Sequence, residues 1–146
     1  MFPEPAAWEA EQLRVGLRAE FARDVTEADV LDFARNSGDA NPLHIDADYA
    51  RSSNFQGRIV HGAFQVGLAS ALIGVHLPGR NVLLGSVNAR FPAPLYFPCR
   101  ASVRGEITAW DAGRNAGQLR VLVLEATTRT PTAEIVMGFT LHEARR

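Results

Sequence analysis

"HGAFQVGLASALIGVHLPG", His61 to Gly79, is the most apolar segment of the chain, and its reading decides the fold. Phe64, Val66, Leu68, Ala69, Ala71, Leu72, Ile73 and Val75 place apolar side chains on nearly every side of a helix that Pro78-Gly79 stops. A helix apolar nearly all round belongs in an interior, so other elements must wrap it. Downstream, the chain reads as strands: "NVLLGSVNARF" (81–91), "RASVRGEITAW" (100–110), "QLRVLVLEATT" and "TAEIVMGFTLHEA" (132–144). In the second of these, Ala101, Val103, Ile107 and Ala109 alternate with Arg100, Ser102, Arg104, Glu106 and Thr108. "DAGRNAG" reads as a hairpin connection.

Upstream, "LRAEFARDV" (17–25) reads as a strand and "TEADVLDFARNSG" as a helix. Thr26 is its N-cap, acids fill its first turn and Gly38 stops it; Val30, Leu31, Phe33 and Ala34 form its apolar face. Residues 1–13 read as an N-terminal extension, a tail or a short helix. The pattern predicts an α+β domain over 1–146: a curled antiparallel sheet wrapped around one buried helix. So short a sheet leaves an edge free to pair with a second copy.

Composition narrows the function. Hydrophobic residues make up 47% and charged residues 21%, as in ordinary globular proteins. The formal net charge of −1 gives no reason to expect nucleic acid or an anionic membrane as partner. All 15 basic residues are Arg, which excludes a Schiff-base lysine and a P-loop lysine. One cysteine, Cys99, excludes an internal disulfide and a cysteine-rich metal site. "MFPEPAAWEAEQLRV" lacks the basic start and apolar run of a signal peptide, and no apolar stretch reaches membrane-spanning length. The expected compartment is the cytoplasm.

Between the two helices lies "NSGDANPLHIDADYA" (36–50), a polar loop broken by Gly and Pro. Asp39 and His44 stand five residues apart across the stiffening Pro42, and a carboxylate with an imidazole makes an acid/base pair near neutral pH. Spacing alone leaves a second reading open, in which Asp39 caps a turn, Asn41 forms an Asx-turn and His44 is a satisfied histidine. Asp46 reads as the cap of a short helix, "ADYARSS". A metal held by His44 with Asp46 or His61 lacks the i, i+4 histidine spacing of helical zinc sites, and no metal is expected. At the start of the central helix, Gly62 offers a backbone N–H to a close-approaching carbonyl, as well as reading plainly as a helix-start glycine.

"FARNSGDANPLH" followed by "VHGAFQVGLAS" resembles the MaoC-like family, the (R)-specific enoyl-CoA hydratases with a hot-dog fold. Phe33, Gly38, Asp39, Asn41, Pro42, Leu43 and His44 match the family pattern, and His61-Gly62 follows; the resemblance covers roughly Leu17 to Leu141. It implies that Asp39 and His44 activate one water and that the Gly62 N–H is the oxyanion donor. It also implies that Ser70 supports the active-site loop and that Asn41 positions the water or the loop. The implied reaction is reversible hydration of a trans-2-enoyl thioester to an (R)-3-hydroxyacyl thioester, without a cofactor, in a homodimer or larger homo-oligomer. Its substrate is carried by CoA or by acyl-carrier protein. The chain departs from the pattern at Val87-Asn88 and at Cys99-Arg100, which bears on the acyl pocket. A hot-dog thioesterase is the nearest rival, and the lack of Asp or Glu from Gly62 to His76 counts against it. A non-catalytic acyl-binding subunit is the other. Arg58, Arg80, Arg90 and Arg100 are candidates for the CoA phosphates.

Overall fold

The computed structural model describes residues 1–143. Five strands form one antiparallel sheet: β1 (Arg18–Val25), β2 (Val82–Arg90), β3 (Cys99–Asp111), β4 (Ala116–Glu125) and β5 (Pro131–Leu141), in the order β1-β3-β4-β5-β2. The helices are α1 (Glu27–Ser37), α2 (Pro42–Ile45), α3 (Ala47–Ser52) and α4 (Gly62–Ala71). The expected last strand thus ends at Leu141, and its final residue, Ala144, lies outside the described residues.

α4 lies against β3, β4 and β5, and burial there explains its position. Leu68, Ala69, Leu72 and Ile73 join Val103, Ile107, Leu119, Val121, Ile135 and Met137 in one core, all nearly or fully buried. Each large side chain removed from water contributes about 1.5–3 kcal/mol. Gly105 on β3 lets the helix approach, since a Cβ there would fall on the Leu72 side chain. The helix then widens over Leu72–His76, where the Leu77 N–H donates to the Leu72 carbonyl five residues back at 3.0 Å. His76 stacks on Phe21 of β1, ring centroids 4.9 Å apart.

Two expectations are corrected. The central helix is not buried all round, because the sheet covers only one side of it. Ala63, Gly67 and Ser70 form an exposed stripe of small side chains. Second, β3 carries an irregularity between Ile107 and Ala109 that reverses the alternation. Ala109 is therefore exposed, and Trp110 turns inward to stack on Phe139, centroids 6.0 Å apart. The N-terminal segment, read as a tail or a short helix, holds a short helical turn at Ala10–Gln12 and is tied to the domain. The Ala6 N–H donates to Val75 O at 2.7 Å and the Arg80 N–H to Ala6 O at 2.9 Å, while Leu13 is buried in the core.

α1 begins and ends as its sequence requires. The Thr26 N–H donates to Asp29 Oδ2 at 2.8 Å, the Asp29 N–H returns a bond to Thr26 Oγ1, and Gly38 closes the helix at φ 82°. At the far edge of the sheet, β2 exposes Leu83, Leu84 and Val87, with Phe91 just beyond it and Val136 beside it on β5. Replacing Gly105 by Ala should lower stability by about 1–3 kcal/mol through overpacking against Leu72. Urea unfolding would read this as a lower midpoint at unchanged slope; an unchanged midpoint would show that Leu72 yields freely.

Candidate active site

The segment after α1 is locked by its own side chains. Ser37 Oγ donates to Phe33 O at 2.6 Å and accepts from the Asp39 N–H at 3.1 Å. Asp39 Oδ1 accepts from the Asn41 N–H at 3.2 Å, and Asn41 Oδ1 accepts from the Leu43 N–H at 3.0 Å. Asn41 is the N-cap of α2, with Pro42 in its first turn, so His44 rides on a short helix where the sequence suggested only a stiff turn. Among the roles open to Asn41, its side chain holds the loop. Asp46 caps α3 through bonds from the Asp48 and Tyr49 N–H groups, each 3.0 Å.

α2 docks onto Ile59 twice. The Ile59 N–H donates to Leu43 O at 3.1 Å, and His44 Nδ1 lies 2.7 Å from Ile59 O. A carbonyl oxygen only accepts, so Nδ1 carries the proton and Nε2 keeps its lone pair. Burial holds the His44 pKa below the ordinary 6.5, with the His61 ring adding to that; the Ile59 carbonyl and the Asp39 carboxylate pull the other way. His44 is thus a neutral base near pH 7.

Beneath His44 lies His61, which is 1% exposed. The two rings stack with centroids 3.7 Å apart, and Phe33 packs against His61 at 4.8 Å. His61 Nε2 is 2.9 Å from the Asp39 backbone oxygen, while its Nδ1 has no partner among the described residues. His61 therefore ties the backbone of Asp39 to the ring of His44. A carboxylate oxygen of Asp39 and one nitrogen from each histidine lie within 4.8 Å of one another. This donor set suits zinc by type, but with ring centroids 3.7 Å apart and planes only 24° from parallel the in-plane lone pairs of the two imidazoles run side by side and do not converge on one ion. One water fits the spacing better, since two hydrogen bonds of about 2.8 Å bridge such a gap.

His61 also precedes α4 without capping it by a side-chain bond. The Phe64 and Gln65 N–H groups turn back to His61 O, whereas the Gly62 N–H donates to nothing among the described residues. The Phe91 ring lies over Gly62, 3.0 Å from where a Cβ would be, so a larger residue would have to push the ring back by a few tenths of an ångström. His44, Gly62, Gln65 and Phe91 line one cavity of about 320 Å³, otherwise walled by apolar residues such as Phe55 and Leu95. A larger concavity of about 670 Å³ is lined by Arg18, Glu20, Arg104, Glu106 and Arg120, away from these groups.

The family follows from these residues together with the matches of the whole chain. A model described as "MaoC like domain" matches residues 11–128. The chain belongs to the MaoC-like family. This MaoC-like chain is 35% identical over 119 residues to the 3-hydroxybutyryl-CoA dehydratase of Methylorubrum extorquens, covering 82% of this chain and 76% of that one. It is 34% identical over 100 residues to the (R)-specific enoyl-CoA hydratase of Aeromonas caviae, covering 68% and 75%. The solved (R)-hydratase from A. caviae superposes with a TM-score of 0.85 at 26% identity, covering 90% of this chain and 99% of that one. The hot-dog arrangement of the MaoC-like fold is therefore the fold of this chain.

Other candidates stand apart. Ser70 is exposed, about 12 Å along α4 from Gly62, and among the described residues its side chain makes no hydrogen bond to the loop. The four arginines are each paired: Arg58 with Glu27, Arg80 with Glu4, Arg90 with Glu134 and Arg100 with Asp24, at 2.6–3.3 Å. Cys99 is half-buried at the start of β3, and burial pushes its thiol up to about 11, consistent with a structural residue. Sequence reading missed Ile59, His61 as a support for His44, and Gln65. Only Gln65 carried a local signal, as an amide within an apolar helix.

His44 should titrate below 6.5 in histidine NMR spectra, and Asp39→Asn should lower it further by removing a charge that raises it. Because the folded chain binds this proton more weakly than the unfolded one, stability should rise with pH through the window just below 6.5 and be lost beneath it. A midpoint at or above 6.5 would contradict the buried, neutral ring.

Proposed function

We propose that this MaoC-like chain catalyses reversible hydration of trans-2-enoyl thioesters to (R)-3-hydroxyacyl thioesters. Membership of the family and the names of its relatives support hydratase and dehydratase chemistry. The observation that carries the finer reading is the His44 ring: its Nδ1–H is committed to Ile59 O, which leaves Nε2 free as a base, and a ring nitrogen of His44 lies within 4.8 Å of an Asp39 carboxylate oxygen.

In this reading the thioester carbonyl accepts the Gly62 N–H, which polarises the double bond toward it. A water held between Asp39 and His44 gives its proton to His44 Nε2 and its oxygen to C3. Negative charge develops on the thioester oxygen at the uncapped start of α4, where the helix dipole also favours it. The imidazolium then returns the proton to C2 on the same face, so the atoms of one water add syn. In reverse, the same groups remove the C2 proton and expel water. No redox step is involved. The cavity's volume, at the small end of ligand pockets, suits a short acyl chain.

The apolar edge of β2, with Leu83, Leu84, Val87 and Phe91 exposed, supports pairing with a second copy along that strand.

Adding the protein to crotonyl-CoA should remove its enoyl absorbance. Asp39→Asn and His44→Ala should each slow the loss about 10²–10⁴-fold, with circular dichroism unchanged. Wild-type rates in both variants would remove the site assignment, and release of free thiol in place of hydration would indicate a thioesterase. Light scattering at micromolar concentration should give the mass of a dimer or larger, and Leu83→Lys with Val87→Lys should shift it to the monomer. A monomeric wild type would sink the edge-pairing proposal.

A further inference from the structure

Gln65 is 2% exposed and sits in the second turn of α4, on the side facing the sheet. Buried amides are rare in apolar cores unless their hydrogen bonds are met. Half of this one is met. Thr132 Oγ1, on β5 and 1% exposed, lies 2.7 Å from Gln65 Oε1 and 3.3 Å from Val123 O. The amide's oxygen end faces Thr132 and accepts from its hydroxyl. The other end, Nε2, has no partner among the described residues, yet it is not sealed away from the cavity that Gln65 lines with His44 and Gly62. That cavity is otherwise apolar apart from His44 and the Gly62 backbone. A donor left unmet there would cost about 1–3 kcal/mol.

On the hydration reading above, every substrate brings one hydrogen-bond acceptor to this place: the thioester oxygen. Gln65 stands three residues after Gly62 on the same helix, and helical side chains lean toward the N-terminus, here toward Gly62. We propose that the Gln65 side-chain amide is a second donor to the thioester oxygen, acting beside the Gly62 N–H and held in place by Thr132. Gln65 is then a catalytic residue and Thr132 its positioning residue. The amide gives up no proton: its hydrogen bond strengthens as charge moves from the double bond onto oxygen. This makes its contribution larger in the transition state than in the bound substrate.

Two measurements test this. Gln65→Leu keeps the side-chain length and leaves Thr132 its bond to Val123. Gln65→Glu keeps the acceptor for Thr132 and replaces the donor by oxygen. With crotonyl-CoA, Gln65→Leu should lower kcat about 10²–10³-fold with little change in KM, and Gln65→Glu should lower it further. Thr132→Val should lower kcat less than either. The second measurement uses butyryl-CoA, which lacks the double bond and is not turned over. Its thioester C=O stretch should move to lower frequency on binding wild type and move back toward the free value in Gln65→Leu.

Unchanged kcat and an unchanged bound stretch in Gln65→Leu would overturn the proposal. So would a loss confined to KM, or one confined to substrates with particular chains, because Gln65 would then read the chain and not the thioester. If wild type hydrates no enoyl-CoA but the butyryl-CoA shift still depends on Gln65, the hydration reading falls and the donor assignment stands.

Discussion

The structure depends on one packing constraint: α4 and the widened turn that continues it must bury Leu68, Leu72 and Ile73 against the sheet. Gly105 sets how near the helix comes, and the helix axis sets where its first N–H groups point. No side chain caps that end, and the Gly62 N–H, without a partner among the described residues, belongs to a residue that lines a cavity. Packing at the middle of the helix thus fixes where its start lies.

The second half of the site is built by local bonding and then clamped. Ser37, Asp39 and Asn41 close successive small turns, and α2 presents His44. Two contacts carry this local unit to α4. Ile59 holds the ring by one nitrogen, and His61 reaches the Asp39 backbone from beneath. His61 is also the residue immediately before Gly62, so the carboxylate, the base and the uncapped amide share a single anchoring side chain. A carboxylate and an imidazole on separate flexible loops would have to lose entropy to meet; here the fold already holds them together.

What was legible in the sequence was what is decided locally. The Thr26 cap, the Gly38 stop and the Asp46 cap all involve residues within four positions of each other. The apolar helix was legible as a helix, though its exposed stripe at Ala63, Gly67 and Ser70 depends on how much the sheet covers. Alternation in β3 misplaced Ala109 because the irregularity arises in pairing with β4, which single-strand periodicity does not contain. The docking of Ala6 on Val75 and Arg80 is equally non-local. In the site, Asp39, His44 and Gly62 could be picked out by residue type and motif. The partners that select the His44 tautomer and clamp Gln65 are a backbone carbonyl 15 residues away and a threonine 67 residues away, and neither has a sequence pattern.

Phe91 has a place in two surfaces at once. Its ring covers Gly62 inside the cavity, yet it follows directly on the apolar edge strand and is nearly half exposed. Any occupant of the cavity that displaces the ring also reshapes the end of that edge, and whatever covers the edge restrains the ring. Thermodynamic linkage makes these influences equal in both directions. A ligand that displaced this ring would therefore have its affinity tied to the state of the strand edge, with no need for a signal to pass through the core.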